Sequence, residues 1–242
     1  MIDKSAFTLV ELAIVIVIIG LLVGGVLTGQ ELIKASERNR AFAEIKQYES
    51  AIITFKGKFN GLPGDFINAR RIWGTITKSG NGDSEYTIPV NIGREDILAW
   101  QHLSLAKLLK AEYNGAQTSS GYTGEDCFYT PGINVPESAL GKGIGFQIHS
   151  PGVYAYGIQS YSFKVAKCKD INNLNKGIFT PYEAMIFDTK FDDGKPAEGR
   201  VIIVKEFGVG QVCVNDTVAP VTFRNLDTEN KEVCHPHYMF NP

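Results

Sequence analysis

The residues best suited to chemistry lie late in this sequence. Asp188, Asp192 and Asp193 precede Gly194. Clustered carboxylates beside a turn glycine suit Ca2+, which takes roughly six to eight oxygen ligands. The spacing is not that of an EF-hand loop, and Asp and Gly are also ordinary turn residues. A calcium site at Asp188, Asp192 and Asp193 and a plain turn between two strands are therefore both open. Asn81, Asp83 and Glu85 alternate inside the polar, glycine-rich stretch from Lys78 to Glu85 and form a second candidate of the same kind. His235 and His237 follow Cys234 as C-H-P-H. Alternate residues of an extended segment share a face, so two imidazoles there could ligate a metal. The plainer expectation is an exposed tail.

Hydrolase and nucleotide-binding signatures are missing. There is no G-x-S-x-G and no H-E-x-x-H. Gly141-Lys142-Gly143-Ile144-Gly145 lacks the G-K-[ST] ending of a phosphate loop. The four histidines read as structural or exposed, and Trp73 and Trp100 as core residues. A formal net charge of -2 argues against a nucleic-acid surface, which carries excess Lys and Arg. The four cysteines, Cys127, Cys168, Cys213 and Cys234, contain no C-x-x-C pair, so a zinc ribbon is not expected. In an exported domain an even count suggests two disulfides. Three pairings are possible and the sequence does not choose among them. Closure by sequential loops favours Cys213 with Cys234 and Cys127 with Cys168.

One further carboxylate stands out by its surroundings. From Phe7 to Leu27 the chain reads FTLVELAIVIVIIGLLVGGVL, and Glu11 is its one ionisable side chain. At 1.5 Å per residue, about 20 residues cross a hydrocarbon core of about 30 Å. The run is too long for the apolar region of a secretory signal, and no small-x-small cleavage site follows it. A plain anchor explains the length but not Glu11. A carboxylate in such a segment costs on the order of a few kcal/mol and marks a function or a partner.

The elements that must position these residues follow from periodicity. After the apolar run, Phe42, Ile45, Tyr48, Ile52, Phe55 and Phe59 recur every three or four residues, which is an amphipathic helix. One helix is expected from about Phe7 to Phe59, apolar all round in its first half and striped in its second. Gly20, Gly24, Gly25 and Gly29 could loosen it, and Gly61-Leu62-Pro63-Gly64 should end it. A short helix is expected over Asp65 to Trp73 with Asp65 as its N-cap, and another over Arg94 to Lys110. Strands are expected from about Ile144, through Val153, Ala155, Ile158, Tyr161 and Phe163, and over Tyr182 to Phe187 and Arg200 to Phe207. A long helix followed by antiparallel strands is an α+β fold. With 44% hydrophobic and 21% charged residues, the roughly 180 residues after the helix can form one domain with its own core.

SAFTLVELAIVIVIIGLLVGG resembles the class III signal and N-terminal helix of type IV pilins and type II secretion pseudopilins. The stretches GLPGDF, EDILAWQHL and IFDTKFDDGKPAEGRV also resemble features of large pilin-like proteins. The resemblance implies a leader at residues 1–6, cut between Ala6 and Phe7 by a prepilin peptidase, and N-methylation of Phe7. It implies a transmembrane helix half at 7–29, an amphipathic half at 30–60 and a globular α+β domain at 61–242. In that family Glu11 stands at the fifth mature position. Ala6 departs from the family's usual Gly, and Thr28 stands where many members have proline.

The implied role is that of a non-enzymatic structural subunit, a minor or specialised one given its long C-terminal domain. Its partners would be other pilin or pseudopilin subunits, the peptidase and the inner-membrane assembly platform. The C-terminal domain would lie in the periplasm before entering a filament. Lys34, Arg38 and Arg40 after the run give a positive-inside count of the opposite sense, so this placement rests on the resemblance and the cysteines. The alternative is a membrane-tethered periplasmic enzyme or ligand-binding domain.

Cleavage would leave an α-ammonium on Phe7. Glu11 of an incoming subunit could then pair with Phe7 of one already in place, neutralising two charges that are each costly in lipid. Glu11→Ala is therefore expected to leave processing and insertion intact while lowering incorporation into a filament. A normal filament yield from that variant would contradict the pairing.

Overall fold

Helix α1, Leu9–Phe59, is the longest element and the one the others pack against. The computed structural model describes residues 8–86, 94–116, 128–151, 160–170, 173–205, 213–215, 220–223 and 232–242. The four glycines at 20, 24, 25 and 29 do not break α1, contrary to the expected loosening. Each glycine costs only about 1 kcal/mol in a helix, and no proline removes a backbone bond here. Thr28 instead returns its hydroxyl to the Gly24 carbonyl at 3.0 Å. Asn60, left-handed at φ 53°, ends the helix.

Burial along α1 changes abruptly. Residues 9–28 are exposed on every side. From Arg38 onward one stripe is buried: Ala41, Ile45, Tyr48, Ala51, Ile52 and Phe55, with Phe42 and Phe59 partly covered. Two short pieces follow, α2 (Ala69–Trp73) and a 3-10 turn (Gly74–Ile76). Helix α3 spans Glu95–Leu105 and is buried nearly throughout. It stops at Leu105 rather than Lys110. Lys107 is left-handed at φ 60°, and the chain folds back so that the Leu108 N–H bonds the Leu103 carbonyl at 3.0 Å.

The strands are β1 (Ile144–His149), β2 (Tyr161–Asp170), β3 (Asn173–Lys176), β4 (Val201–Lys205), β5 (Val214–Asn215), β6 (Thr222–Phe223) and β7 (Cys234–Phe240). Five form an antiparallel sheet in the order β1-β2-β7-β4, with β3 also paired to β2; β5 and β6 form a separate ribbon. The fold is α+β, as the sequence pattern implies. Val153, Ala155 and Ile158 lie outside the described residues.

Tyr182 to Phe187 is not a strand. Helix α4 covers Pro181–Phe191. Thr180 caps it, Pro181 occupies the first turn and Glu183 closes a capping box. Ala184, Phe187 and Phe191 recur at helical spacing on the inner side. Phe191 stacks on Phe42 of α1 at 4.3 Å, and Lys34 pairs with Glu183 at 3.1 Å.

The core is aromatic. Tyr48 of α1 meets Trp100 of α3 at 5.1 Å, Phe146 of β1 at 5.0 Å and Phe163 of β2 at 6.4 Å. Trp100 is buried and Trp73 partly so. Gly64 lets the loop after α1 press on α3: at φ +88°, a Cβ there would meet the Glu95 carbonyl oxygen at 2.1 Å. The Gly64 N–H donates to His102 Nδ1 at 2.8 Å. His102 Nε2 therefore carries the hydrogen and donates to the Lys78 carbonyl at 2.9 Å.

Asp65 does not cap α2, which begins at Ala69 with Asn68 as its N-cap. Its carboxylate instead accepts the N–H groups of Gly82 (2.5 Å) and Ser84 (2.8 Å), holding the glycine-rich loop against the segment that follows α1. Phe55→Ala, which empties a fully buried site on α1, is expected to cost about 3–5 kcal/mol. Chemical denaturation of the full chain in detergent would measure this, and a loss below about 1 kcal/mol would show that the α1 stripe does not organise the core.

Candidate functional site

Thr8 and Glu11 form the first structural unit of α1. The Thr8 hydroxyl accepts the Glu11 N–H at 3.3 Å, and Glu11 Oε2 accepts both the Thr8 N–H and the Thr8 hydroxyl at 2.8 Å. This is a complete capping box. It gives the carboxylate two donors inside its own chain, which reduces the cost of placing it in an apolar segment. The unit begins a helix that is long and apolar enough to cross a membrane. Side chains such as Leu12, Ile16, Ile19 and Val23 are bare in the isolated chain. Ala6 and Phe7, the expected processing pair, lie outside the described residues. Thr8 was not singled out from the sequence as Glu11's partner, although T-x-x-E is the signal of such a box.

Residues 1–27 match the family model of the prokaryotic N-terminal methylation motif, the class III signal of type IV pilins and pseudopilins. No curated protein and no solved structure matches the chain. The motif and the exposed apolar helix fit a protein anchored in the inner membrane and processed by a prepilin peptidase of the pilin and pseudopilin type. The motif suggests a structural subunit rather than an enzyme.

Among the cysteines, Cys213 is bonded to Cys234, with Cα atoms 5.3 Å apart and a sequence separation of 21. Closing such a loop stabilises by about 3 kcal/mol in the chain-entropy model. The bond ties the Cys213 segment to the start of β7. Cys127 and the Cys168 side chain lie outside the described residues.

Asp188, Asp192 and Asp193 stay together, each with an oxygen within 4.8 Å of the others, whereas the second acidic candidate is rearranged. Asp188 is in the last turn of α4, with Asp192 as C-cap and Asp193 after it. The corner therefore joins a helix to β4 and does not join two strands. Asp83 is gathered with Asp65 and Glu95 rather than with Glu85. These carboxylates are occupied by their own loop. Asp65 holds two N–H groups, Glu95 accepts the Asn81 N–H at 3.1 Å, and Asp83 accepts the Glu85 N–H at 2.8 Å. Asp65 and Glu95 are remote in sequence from Asp83, so no spacing pattern announced the group.

His235 and His237 are not in an exposed tail. They lie in β7, between β2 and β4, and both are buried. The C-H-P-H stretch is a sheet strand whose Tyr238 and Phe240 face α1 and whose histidines face the other side with Lys164. The His237 ring lies 5.8 Å from that of His149 and 5.3 Å from that of His235. A cleft beside the end of α3 is lined by Ile76, Gln101, Leu105, Tyr113 and Ile133. Its Gln101 side chain is already engaged by Thr77, the Ile76 carbonyl and the Asn114 carbonyl.

Burial pushes His102 down to about 4. Burial, and after it neighbouring positive charge, holds His149 and His237 well below the usual histidine range. These rings are neutral when folded and take up protons on unfolding, so their contribution is present above about pH 6.5 and is lost as the pH falls toward 4. Asp188, raised to about 7 chiefly by burial, acts in the opposite sense. For His102 alone the loss is about 3 kcal/mol. Denaturation midpoints between pH 7.5 and 4.5 are expected to fall less steeply in His102→Gln than in the unmodified chain. Identical slopes would mean that His102 takes up no proton on unfolding.

Proposed function

We propose that this chain is a structural subunit, minor or specialised, of a type IV pilus or a type II secretion pseudopilus. A prepilin peptidase cuts it between Ala6 and Phe7, Phe7 is N-methylated, and Glu11 guides the subunit into the filament against the Phe7 ammonium of a neighbour. The observation that carries this reading is the methylation motif over residues 1–27. Three structural features support it. The motif opens on a carboxylate held by Thr8 at the head of an apolar helix. Residues 9–28 of that helix are exposed on every side among the described residues, so this bare surface suits lipid first and neighbouring helices later. It then runs without a break into the domain core, so the position of Glu11 fixes the position of the domain.

On this reading the globular part, residues 61–242, lies in the periplasm or on the filament surface, where its disulfide is stable. The partners are other subunits of the same class and the inner-membrane assembly platform. Intact mass and N-terminal sequencing, with and without a co-expressed prepilin peptidase, test the proposal. A chain starting at N-methylated Phe7 only in the presence of the peptidase is expected. A chain starting at Met1 in both cases would turn the assignment to a domain on a simple anchor.

A further inference from the structure

The anchor-facing end of the domain holds a positive charge that the fold does not satisfy. Helix α4 runs beside α1 in the same direction, since Lys34 pairs with Glu183 at 3.1 Å and Phe42, further along, stacks on Phe191. The start of α4 therefore faces the anchor. Lys34 is held above its usual range chiefly by its hydrogen bond to Glu183 and by that carboxylate's charge, while the charge of Arg38 acts on it in the opposite sense. Two cations thus stand beside one bonded carboxylate, and Glu183 is already committed. Its Oε1 accepts from Lys34, and its Oε2 accepts the N–H and the hydroxyl of Thr180. Arg38 is 8% exposed, and its Nε is sealed without an acceptor. Its Nη groups are not sealed, and the guanidinium makes no ion pair or hydrogen bond among the described residues.

An arginine cannot escape by losing its proton, and a buried cation without a partner is costly. The position of Arg38 along α1 identifies the source of the missing anion. Leu32 and Ile33, 68% and 60% exposed, carry the bare apolar surface of α1 beyond residue 28. From Leu9 to Ile33 the helix spans about 36 Å, more than the roughly 30 Å of a hydrocarbon core. From Leu9 to Arg38 it spans about 44 Å, against about 40–45 Å for a bilayer with its headgroups. Side chains lean toward the N-terminus of their helix, which brings Lys34 and Arg38 closer to the membrane. Tyr182, at the start of α4, is exposed, and tyrosine is enriched where membrane meets water.

We propose that Arg38 and Lys34 bind the phosphate of a phospholipid headgroup in the leaflet on the domain side, with Leu32, Ile33 and Tyr182 seated in the same layer. A guanidinium meets phosphate through two parallel hydrogen bonds, and Lys34 adds a point charge. Glu31, exposed and one turn nearer the anchor, also acts on Lys34. A headgroup with an ammonium beside its phosphate, as in phosphatidylethanolamine, meets both signs; a purely anionic headgroup meets only one. The domain then rests on the bilayer at a fixed height. Such a site requires only that α1 spans a membrane, whether the chain is a filament subunit or a domain on a simple anchor.

The test uses the full, unprocessed chain. In detergent, native mass spectrometry with added phosphatidylethanolamine is expected to show one retained lipid per chain, and lower occupancy with phosphatidylglycerol. Arg38→Gln removes a charge that makes no bond within the chain, so it should melt no lower while retaining the lipid about tenfold less. Arg38→Lys should fall between the two, and inorganic phosphate should not displace the lipid. In nanodiscs, Tyr182→Trp should gain an emission that brominated phospholipid quenches. Equal lipid retention in Arg38→Gln, displacement by inorganic phosphate, or an unquenched emission in Tyr182→Trp would each overturn the proposal. If Arg38→Gln weakens self-association of the chain and leaves lipid retention unchanged, the anion comes from a second copy and the lipid site is refuted.

Discussion

Tyr48 on the second half of α1 makes the contact on which the rest of the structure depends. It touches Trp100 on α3, Phe146 on β1 and Phe163 on β2, and so joins one helix to another and to two strands at a single buried ring. Ile45, Ile52 and Phe55 extend that contact along the same face. Trp100 of α3 also meets Phe163, and α4 lies against β4 and β7. Burial of apolar area is the dominant favourable term in folding, and the α1 stripe is one shared surface of that core. Domain and spine therefore fold together.

The same helix must serve two solvents. Its first half is uniformly apolar and bare, and its second half is striped and covered. Unbroken backbone hydrogen bonding carries the chain from one regime to the other, as any lipid-exposed segment requires. From Glu11 to Phe55 the axis spans about 66 Å. A charge fixed at one end thus sets where the globular part sits at the other. The Thr8 box holds Glu11 at the head of that axis, and the proposed filament role needs a rigid link of this kind.

Polar groups buried away from α1 make the domain specific rather than merely compact. Arg94 and Asp96 form a buried pair at 3.2 Å, and the Tyr129 hydroxyl and the Gln147 Nε2 group join it in a network between α3 and β1. His102 is held from both ring nitrogens by the loops flanking α2. Such networks are stabilising only when complete, since an unpartnered member is costly in the interior. Asp188, buried at the end of α4, and the Gln147 carbonyl oxygen are left without such a partner.

The sequence by itself determined the extent and character of α1, the α+β class and the methylation motif with Glu11 inside it. Each of these is a local property: apolar periodicity over many turns, composition, and a motif read in order. The α4 helix was equally local, written in Thr180, Pro181 and Glu183, but a run of β-prone residues masked it. What only the tertiary structure decided concerns residues far apart in the chain. The buried place of His235 and His237 depends on β7 pairing between β2 and β4. The grouping of Asp83 with Asp65 and Glu95 depends on the glycine-rich loop folding back onto Asp65 and the start of α3, and the burial of Asp188 depends on how α4 packs. Burial and hydrogen-bond satisfaction are properties of the packed chain, so no spacing rule could have supplied them.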